Sequence, residues 1–176
     1  RQRQMCIRDR SNDKNMKKEE AIFAAGCFWG VQYQMEKTAG VIQTKVGYIG
    51  GFKDNPTYQE VKAHTTGHAE ALWVEFDSDV VSYIDLCKVF FEIHDPAQTD
   101  GQGPDLGPQY RSEIFYYDSR QKEEAEAVIE LLREKGYVVN TRLTPVSTFW
   151  TAEEYHQHYY DKTGGEPYCH IRTKKF

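Results

Sequence analysis

Alternation of apolar and polar positions divides most of the chain into elements. Glu20 to Ala25 is a short apolar run closed by Gly26, the pattern of a buried strand that ends at a turn. Directly after it Phe28, Val31, Gln32 and Met35 recur at helical spacing, so a helix is expected from Phe28 to Lys37 with Cys27 at the strand-helix junction. Lys45 to Ile49 reads as a second strand, and Gly50-Gly51 with Asn55-Pro56 as a loop that ends near Tyr58. Alternating Ala69, Ala71, Trp73 and Phe76 predict a strand over 68–76. Leu86, Val89, Phe90 and Ile93 predict a helix over 84–93, closed by Asp95-Pro96. The stretch from Asp95 to Gln109, rich in Gly, Pro, Asp and Gln, is too long and polar for a plain connection and is expected to line a site.

Beyond it, Ser112 to Tyr117 reads as a strand, Ser119 to Lys135 as a helix capped by its own serine, and Arg142 to Val146 as a strand. Glu153 to Tyr160 is expected to form a short helix, and Lys162 to Phe176 a glycine-broken tail. The order, βαββαβαβ, belongs to the α+β class: a two-layer mixed sheet with packed helices, a ferredoxin-like core and an irregular C-terminal tail. A length of 176 residues with 39% hydrophobic positions suits one core. Residues 1–15 are polar and charged, and Met16-Lys17-Lys18 has the look of a native start. An N-terminal extension over 1–15, disordered or non-native, is therefore expected before a single catalytic domain over 16–176.

A formal net charge of -5 argues against a nucleic-acid or anionic-membrane footprint, because binding phosphate needs clustered cations. No apolar run approaches the roughly 20 residues of a membrane helix, and the N-terminus lacks the apolar stretch of a secretory signal. A cytoplasmic monomer is expected. Cys6, Cys27, Cys87 and Cys169 stand at long irregular intervals with no C-x-x-C pair, unlike a disulfide framework or a structural zinc site. That spacing points to redox chemistry with no metal or cofactor.

A thiol becomes a good nucleophile when it ionises, and a helix N-terminus, where Cys27 is expected, favours the thiolate. Gly26 and Gly30 permit a sharp turn and close backbone approach, and Phe28 with Trp29 offers an apolar wall suited to a methyl or thioether group. An arbitrary cysteine at a strand end is usually core. Here Gly26-Cys27-Phe28-Trp29-Gly30 is followed by Gly47-Tyr48-Ile49-Gly50-Gly51, Asn55-Pro56-Thr57-Tyr58, Thr66-Gly67-His68-Ala69-Glu70, Ile93-His94-Asp95-Pro96 and the run from Gln102 to Ser112. In these strings, from about Glu20 to the C-terminus, the chain resembles the peptide methionine sulfoxide reductase A family. The resemblance, rather than any spacing, implies a mixed α/β fold and reduction of the S epimer of methionine sulfoxide, free or in proteins; this family is a known repair route for that lesion.

Attack of a thiolate on a sulfoxide sulfur leaves an oxygen in need of a proton, so an acid of raised pKa is required nearby. By resemblance that acid is Glu70, Tyr58 and Tyr110 are its hydroxyl partners, Phe28 and Trp29 form the methyl pocket, and Asp105 helps hold substrate. Asp105 reads equally well as a turn residue capping its own loop. His68, His94 and Asp95 read as structural. A sulfenic acid on Cys27 would condense with a second thiol. Cys169, in the tail Gly164-Gly165-Glu166-Pro167-Tyr168-Cys169-His170, is the candidate resolver, and the family implies thioredoxin as reductant. Cys87, on an apolar helix stripe, reads as a small buried hydrophobe. Two other readings compete. A thiol peroxidase would pair its cysteine with Thr and Arg, a trio absent around Cys27. A metal module on His156, His158, Cys169 and His170 has ligand types that suit zinc but no recognised spacing.

Overall fold

Strand β1 (Lys18–Ala25) occupies the middle of the sheet because its last five residues, Ala-Ile-Phe-Ala-Ala, are apolar without alternation and so can be buried on both faces. The computed structural model describes residues 17–167 and 170–176; the readings made for 1–15 and for Cys169 lie outside the described residues. On either side of β1 run β3 (Ala69–Asp77) and β6 (Ser112–Tyr116), both antiparallel to it, and β2 (Val41–Ile49) lies beyond β3. Helix α1 (Phe28–Met35) connects β1 to β2, and α3 (Tyr83–Glu92) connects β3 to β6. The resulting order β6-β1-β3-β2 is the ferredoxin-like arrangement expected from the element order.

One further strand on each edge, β7 (Arg142–Pro145) beside β6 and β8 (Trp150–Thr151) beside β2, extends it to six, β7-β6-β1-β3-β2-β8. Helix α4 (Ser119–Glu134) returns the chain to β7 (Arg142–Pro145), which pairs parallel with β6 and makes the sheet mixed. β8 (Trp150–Thr151) adds two residues beside Gly47 and Tyr48, too short to announce itself in sequence. Within the polar stretch after α3, β4 (Gly101–Gln102) and β5 (Asp105–Leu106) form a tight hairpin, followed by a 3-10 turn over Pro108–Tyr110.

Several expectations shift. Tyr58 opens a helix, α2 (Tyr58–Lys62), rather than ending a loop: Thr57 and Glu60 form a reciprocal capping box, a T-x-x-E signature legible in the sequence. Helix α4 is capped by Asp118 rather than Ser119; the Asp118 carboxylate accepts from Gln121 N at 2.9 Å. The helix expected over 153–160 is split into a 3-10 turn at Glu154–His156 and α5 (Tyr159–Thr163), because His158 between them takes φ +55°. No helix of the described residues is long and apolar enough to cross a membrane.

The main core lies between the sheet and the helices. Phe23 of β1 stacks on Phe90 of α3 at 5.3 Å and on Tyr83 at 6.1 Å, and Phe91 meets Phe90 edge-on at 4.8 Å. On the opposite face Ile22, Ala24, Ile49, Ala69, Ala71 and Phe115 form a smaller buried cluster, with the half-buried Trp73, Val146 and Phe149 packed against it. Phe90 is fully buried where β1 and α3 meet. Phe90→Ala is expected to lower the unfolding free energy by about 3–5 kcal/mol, measured by urea denaturation.

Candidate active site

Gly26 takes φ +95° and turns the end of β1 into α1, so that Cys27 becomes the residue capping the helix. A Cβ on Gly26 would stand 2.6 Å from the Gln102 Cβ, so this glycine also permits a close approach. Gln102 is buried there, its amide accepting from Asp95 N at 2.7 Å and donating to Asp95 O at 2.9 Å, which ties the hairpin loop to the end of α3. Gly30 has a different role from the sharp turn expected of it. It lies inside α1, and a Cβ there would fall 2.2 Å from the His170 Nδ1. The imidazole of His170, fully buried, donates from Nε2 to Ala25 O at 2.6 Å, and its carbonyl accepts from Gln34 Nε2 at 2.5 Å. The tail is thereby pinned against the helix that begins at Cys27. Further along, Arg172 pairs with the nearly buried Glu92 at 2.8 Å.

Glu70 arrives from the other direction. Phe23 pairs with Leu72, and continuing that antiparallel register sets Glu70 beside Ala25, on the helix-covered face with Leu72 and Val74. The Glu70 carboxylate accepts from Phe28 N at 3.2 Å, at the first amide of α1, and is only 2% exposed. Burial raises its pKa to about 8; the Phe28 N–H opposes this, and the Asp105 charge reinforces it. The carboxyl is therefore mostly a neutral acid at pH 7.

Tyr58 and Tyr110 flank this carboxyl, both half-buried. The Tyr58 hydroxyl is pushed up to about 12, first by burial, then by Glu70 and Cys27. Tyr110 is raised further by burial, then by Glu70, Tyr58 and Cys27. Both stay protonated donors across the neutral range. Among the described residues neither hydroxyl bonds the Glu70 carboxyl, whose hydrogen bond is to Phe28 N. Asp105, on β5, acts on Glu70, on both tyrosines and on His170 through its charge.

The apolar wall is larger than Phe28 and Trp29. Phe28 lies 5.7 Å from Tyr48, 6.5 Å from Tyr58 and 5.3 Å from His156. Trp29 stacks face to face on Tyr159 at 3.8 Å and 8°. The structure thus draws Cys27, Phe28, Trp29, Tyr58, Glu70, Asp105 and Tyr110 into one neighbourhood at the head of α1.

The family model described as peptide methionine sulfoxide reductase matches residues 19–176. The chain belongs to that family. It is 47% identical over 155 residues to the peptide methionine sulfoxide reductase MsrA of Geobacter sulfurreducens, covering 86% of this chain and 96% of the relative. It is also similar to the structure of Mxr1 from Saccharomyces cerevisiae in reduced form, with TM-score 0.85, 35% identity and coverage of 90% of this chain and 93% of Mxr1. For Mxr1 in complex with Trx2 the TM-score is 0.62 at 26% identity, with 90% and 91% covered. As a family member the protein is an oxidoreductase acting on methionine sulfoxide in peptides.

Other residues of the reductase take structural places. His94 donates from Nδ1 to Phe90 O at 2.6 Å and accepts the Ser112 hydroxyl on Nε2 at 2.7 Å; burial depresses its pKa to about 3. His68 accepts from Gly51 N at 3.0 Å and meets Lys53 O at 2.7 Å, fastening the Gly50-Gly51 turn to β3. Cys87 is fully buried among apolar groups, and burial drives its thiol well above the ordinary range. The histidines of the metal reading separate: His156 sits in the aromatic wall, His170 under Ala25, and His158 on the surface beside Glu36 at 2.9 Å.

The sequence pattern misses the roles of two residues at the site: it reads Glu153 only as part of a helix and His156 only as a possible zinc ligand. Glu153 accepts from the Tyr48 hydroxyl at 2.8 Å and from Tyr58 N at 3.0 Å, fixing the start of α2. His156 accepts from the Trp29 indole at 3.0 Å. Their partners lie 95 and 127 residues away in sequence, beyond any local pattern.

The buried acid also has a stability signature. Below about pH 4.5 Glu70 is neutral in both the folded and the unfolded chain, and its contribution is fully present. As pH rises to about 8 the unfolded chain ionises first, so the folded state is progressively disfavoured. Glu70→Gln keeps an acceptor for Phe28 N. It is expected to match the parent in denaturation at pH 4 and to exceed it at pH 8.5 by on the order of 5 kcal/mol, the linkage of a carboxyl raised from 4.5 to about 8.

Proposed function

We propose that the protein reduces the S epimer of methionine sulfoxide, free or in oxidised proteins, with Cys27 as nucleophile and Glu70 as acid. The observation that carries this assignment is the buried, mostly neutral Glu70 carboxyl held on the amide of the residue next to Cys27. The sulfoxide methyl fits the wall of Phe28 and Trp29. The sulfoxide oxygen meets the Glu70 proton and the Tyr58 and Tyr110 hydroxyls, and Asp105 helps hold the substrate.

The Cys27 thiolate, stabilised by the positive end of the α1 dipole, attacks the sulfoxide sulfur. Oxygen passes to Cys27 as that sulfur takes up two electrons, and Glu70 supplies the proton. The products are methionine and a Cys27 sulfenic acid. The Cys169 thiol condenses with the sulfenic acid, releasing water and forming a Cys27–Cys169 disulfide. A thioredoxin-type dithiol then reduces the disulfide, a choice supported by the Mxr1 complex with Trx2. Such a reductant suits a reducing, cytoplasmic setting. Every catalytic group comes from one chain, so a monomer suffices. Residues 16–176 constitute the catalytic unit in this reading, with 1–15 outside it.

Cys27→Ser is expected to abolish reduction of the S sulfoxide, whereas Cys169→Ser should release one equivalent of methionine per enzyme and then stall with thioredoxin. Multiple turnovers by Cys27→Ser would remove the assignment, and faster turnover of hydrogen peroxide than of methionine sulfoxide would favour a peroxidase.

The acid role sets a pH limit. The single-turnover rate should fall as pH rises through about 8, where Glu70 loses its proton. Glu70→Gln should lower that rate by about 10²–10⁴-fold and erase the alkaline limb, read by rapid-quench assay across pH 6–10.

A further inference from the structure

Arg111 follows Tyr110 directly, and its guanidinium joins three segments of the chain. Its Nε donates to the Glu113 carboxylate on β6 at 2.6 Å, its Nη1 to Pro108 O at 3.0 Å and its Nη2 to Gly67 O at 3.1 Å. Pro108 opens the 3-10 turn that ends at Tyr110, and Gly67 stands three residues before Glu70. The strands these residues lead into, β6 and β3, lie on opposite sides of β1. Ser112 pairs with Ala25, so the guanidinium spans the end of β1, where Gly26 turns the chain toward Cys27. Glu113 pairs with Ala24, which belongs to the cluster on the face away from α1. Arg111 thus reaches its partners on that face, while Tyr110 approaches Glu70 and Cys27 on the other.

The junction is enclosed and rigid. The Arg111 and Glu113 side chains are only 16% and 5% exposed, and the second Glu113 oxygen accepts the Thr144 hydroxyl of β7. Gly50, at φ +89°, leaves the room: a Cβ there would stand 2.9 Å from the Arg111 Nη2. A planar fork of N–H groups can meet a carboxylate and two carbonyls in fixed directions, whereas a lysine ammonium on its flexible stem cannot. Tyr110 depends on that rigidity. Among the described residues no hydrogen bond ties its hydroxyl to the protein, so the hydroxyl stands where the backbone of the turn puts it. The turn closes on itself through Tyr110 N and Gly107 O at 3.1 Å, and Arg111 fastens it to the lead into β3. We propose that Arg111 is a positioning residue for the reduction: its guanidinium locks the Tyr110 turn to the segment that carries Glu70, and so sets the Tyr110 hydroxyl on the sulfoxide oxygen beside the Glu70 proton. This rests on the methionine sulfoxide reading of the site.

The test is a double-mutant cycle on the full-length enzyme, read by single-turnover reduction of methionine sulfoxide. Arg111→Lys keeps a positive charge beside Glu113 and should lower the rate about tenfold, the size of one hydrogen bond lost in the transition state. In a Tyr110→Phe background the same change should alter the rate less than about twofold, since no hydroxyl is left to misplace; a general loss of structure would lower both alike. Enzyme labelled with ¹³Cζ-tyrosine gives a second readout, with Tyr110 assigned by its loss in Tyr110→Phe. Its resonance should shift in Arg111→Lys while that of Tyr83, buried under β1, stays in place. Equal losses in the two backgrounds, no loss in either, or an unmoved Tyr110 resonance overturns the proposal. If Arg111→Lys does not fold, Glu113→Gln, which takes the carboxylate from the fork, goes through the same cycle with the same outcomes. Failure of the wild type to reduce methionine sulfoxide would remove the substrate reading, while the Tyr110 resonance still decides whether Arg111 holds the turn.

Discussion

A carboxyl group buried at the head of a helix, on the amide next to a cysteine, is the constraint around which this protein is arranged. Glu70 must be dry to stay protonated near pH 7, and it must still reach the first turn of α1. The ferredoxin-like order meets both needs, because it sets the start of β3 beside the end of β1 and covers that row with α1. Moving Glu70 by one residue would put its side chain on the other face of the sheet, where Ala69 and Ala71 sit.

The surroundings of that pair come from distant parts of the chain, each fastened by its own bonds. Gln102 ties the 95–109 loop down and fills the space that Gly26 leaves. Glu153 fixes the start of α2 and with it Tyr58, while the segment through His156 and Tyr159 closes over Phe28 and Trp29. His170 fills the notch at Gly30 and anchors the tail at Ala25, two residues before Cys27. The two flanking glycines therefore answer to different partners: a backbone turn with a close side chain at Gly26, and a buried imidazole at Gly30.

Hydrophobic and polar groups divide the work of the site. Apolar burial raises the pKa of Glu70 and of both tyrosine hydroxyls, which keeps three proton donors protonated in one place. The same burial drives the Cys87 thiol away from ionisation, inside α3 and not at a helix start. Two cysteines on one scaffold thus diverge by environment.

Local pattern by itself determined the strands and long helices of the core, since β1 and α3 are written in contiguous runs and stripes that any packing must bury. It also determined the cysteine's station between strand and helix, and its motif strings singled out Glu70, Tyr58, Tyr110 and Asp105. The capping box at Thr57 and Glu60 was equally legible, being a four-residue signal. Only the tertiary structure decided that Gly30 makes room for His170, that Glu153 holds Tyr58, and that His156 meets Trp29. Those contacts join residues about 95 to 140 positions apart. Sequence periodicity reports which face of an element is buried, whereas the partner across that face is chosen by the order in which strands and helices assemble.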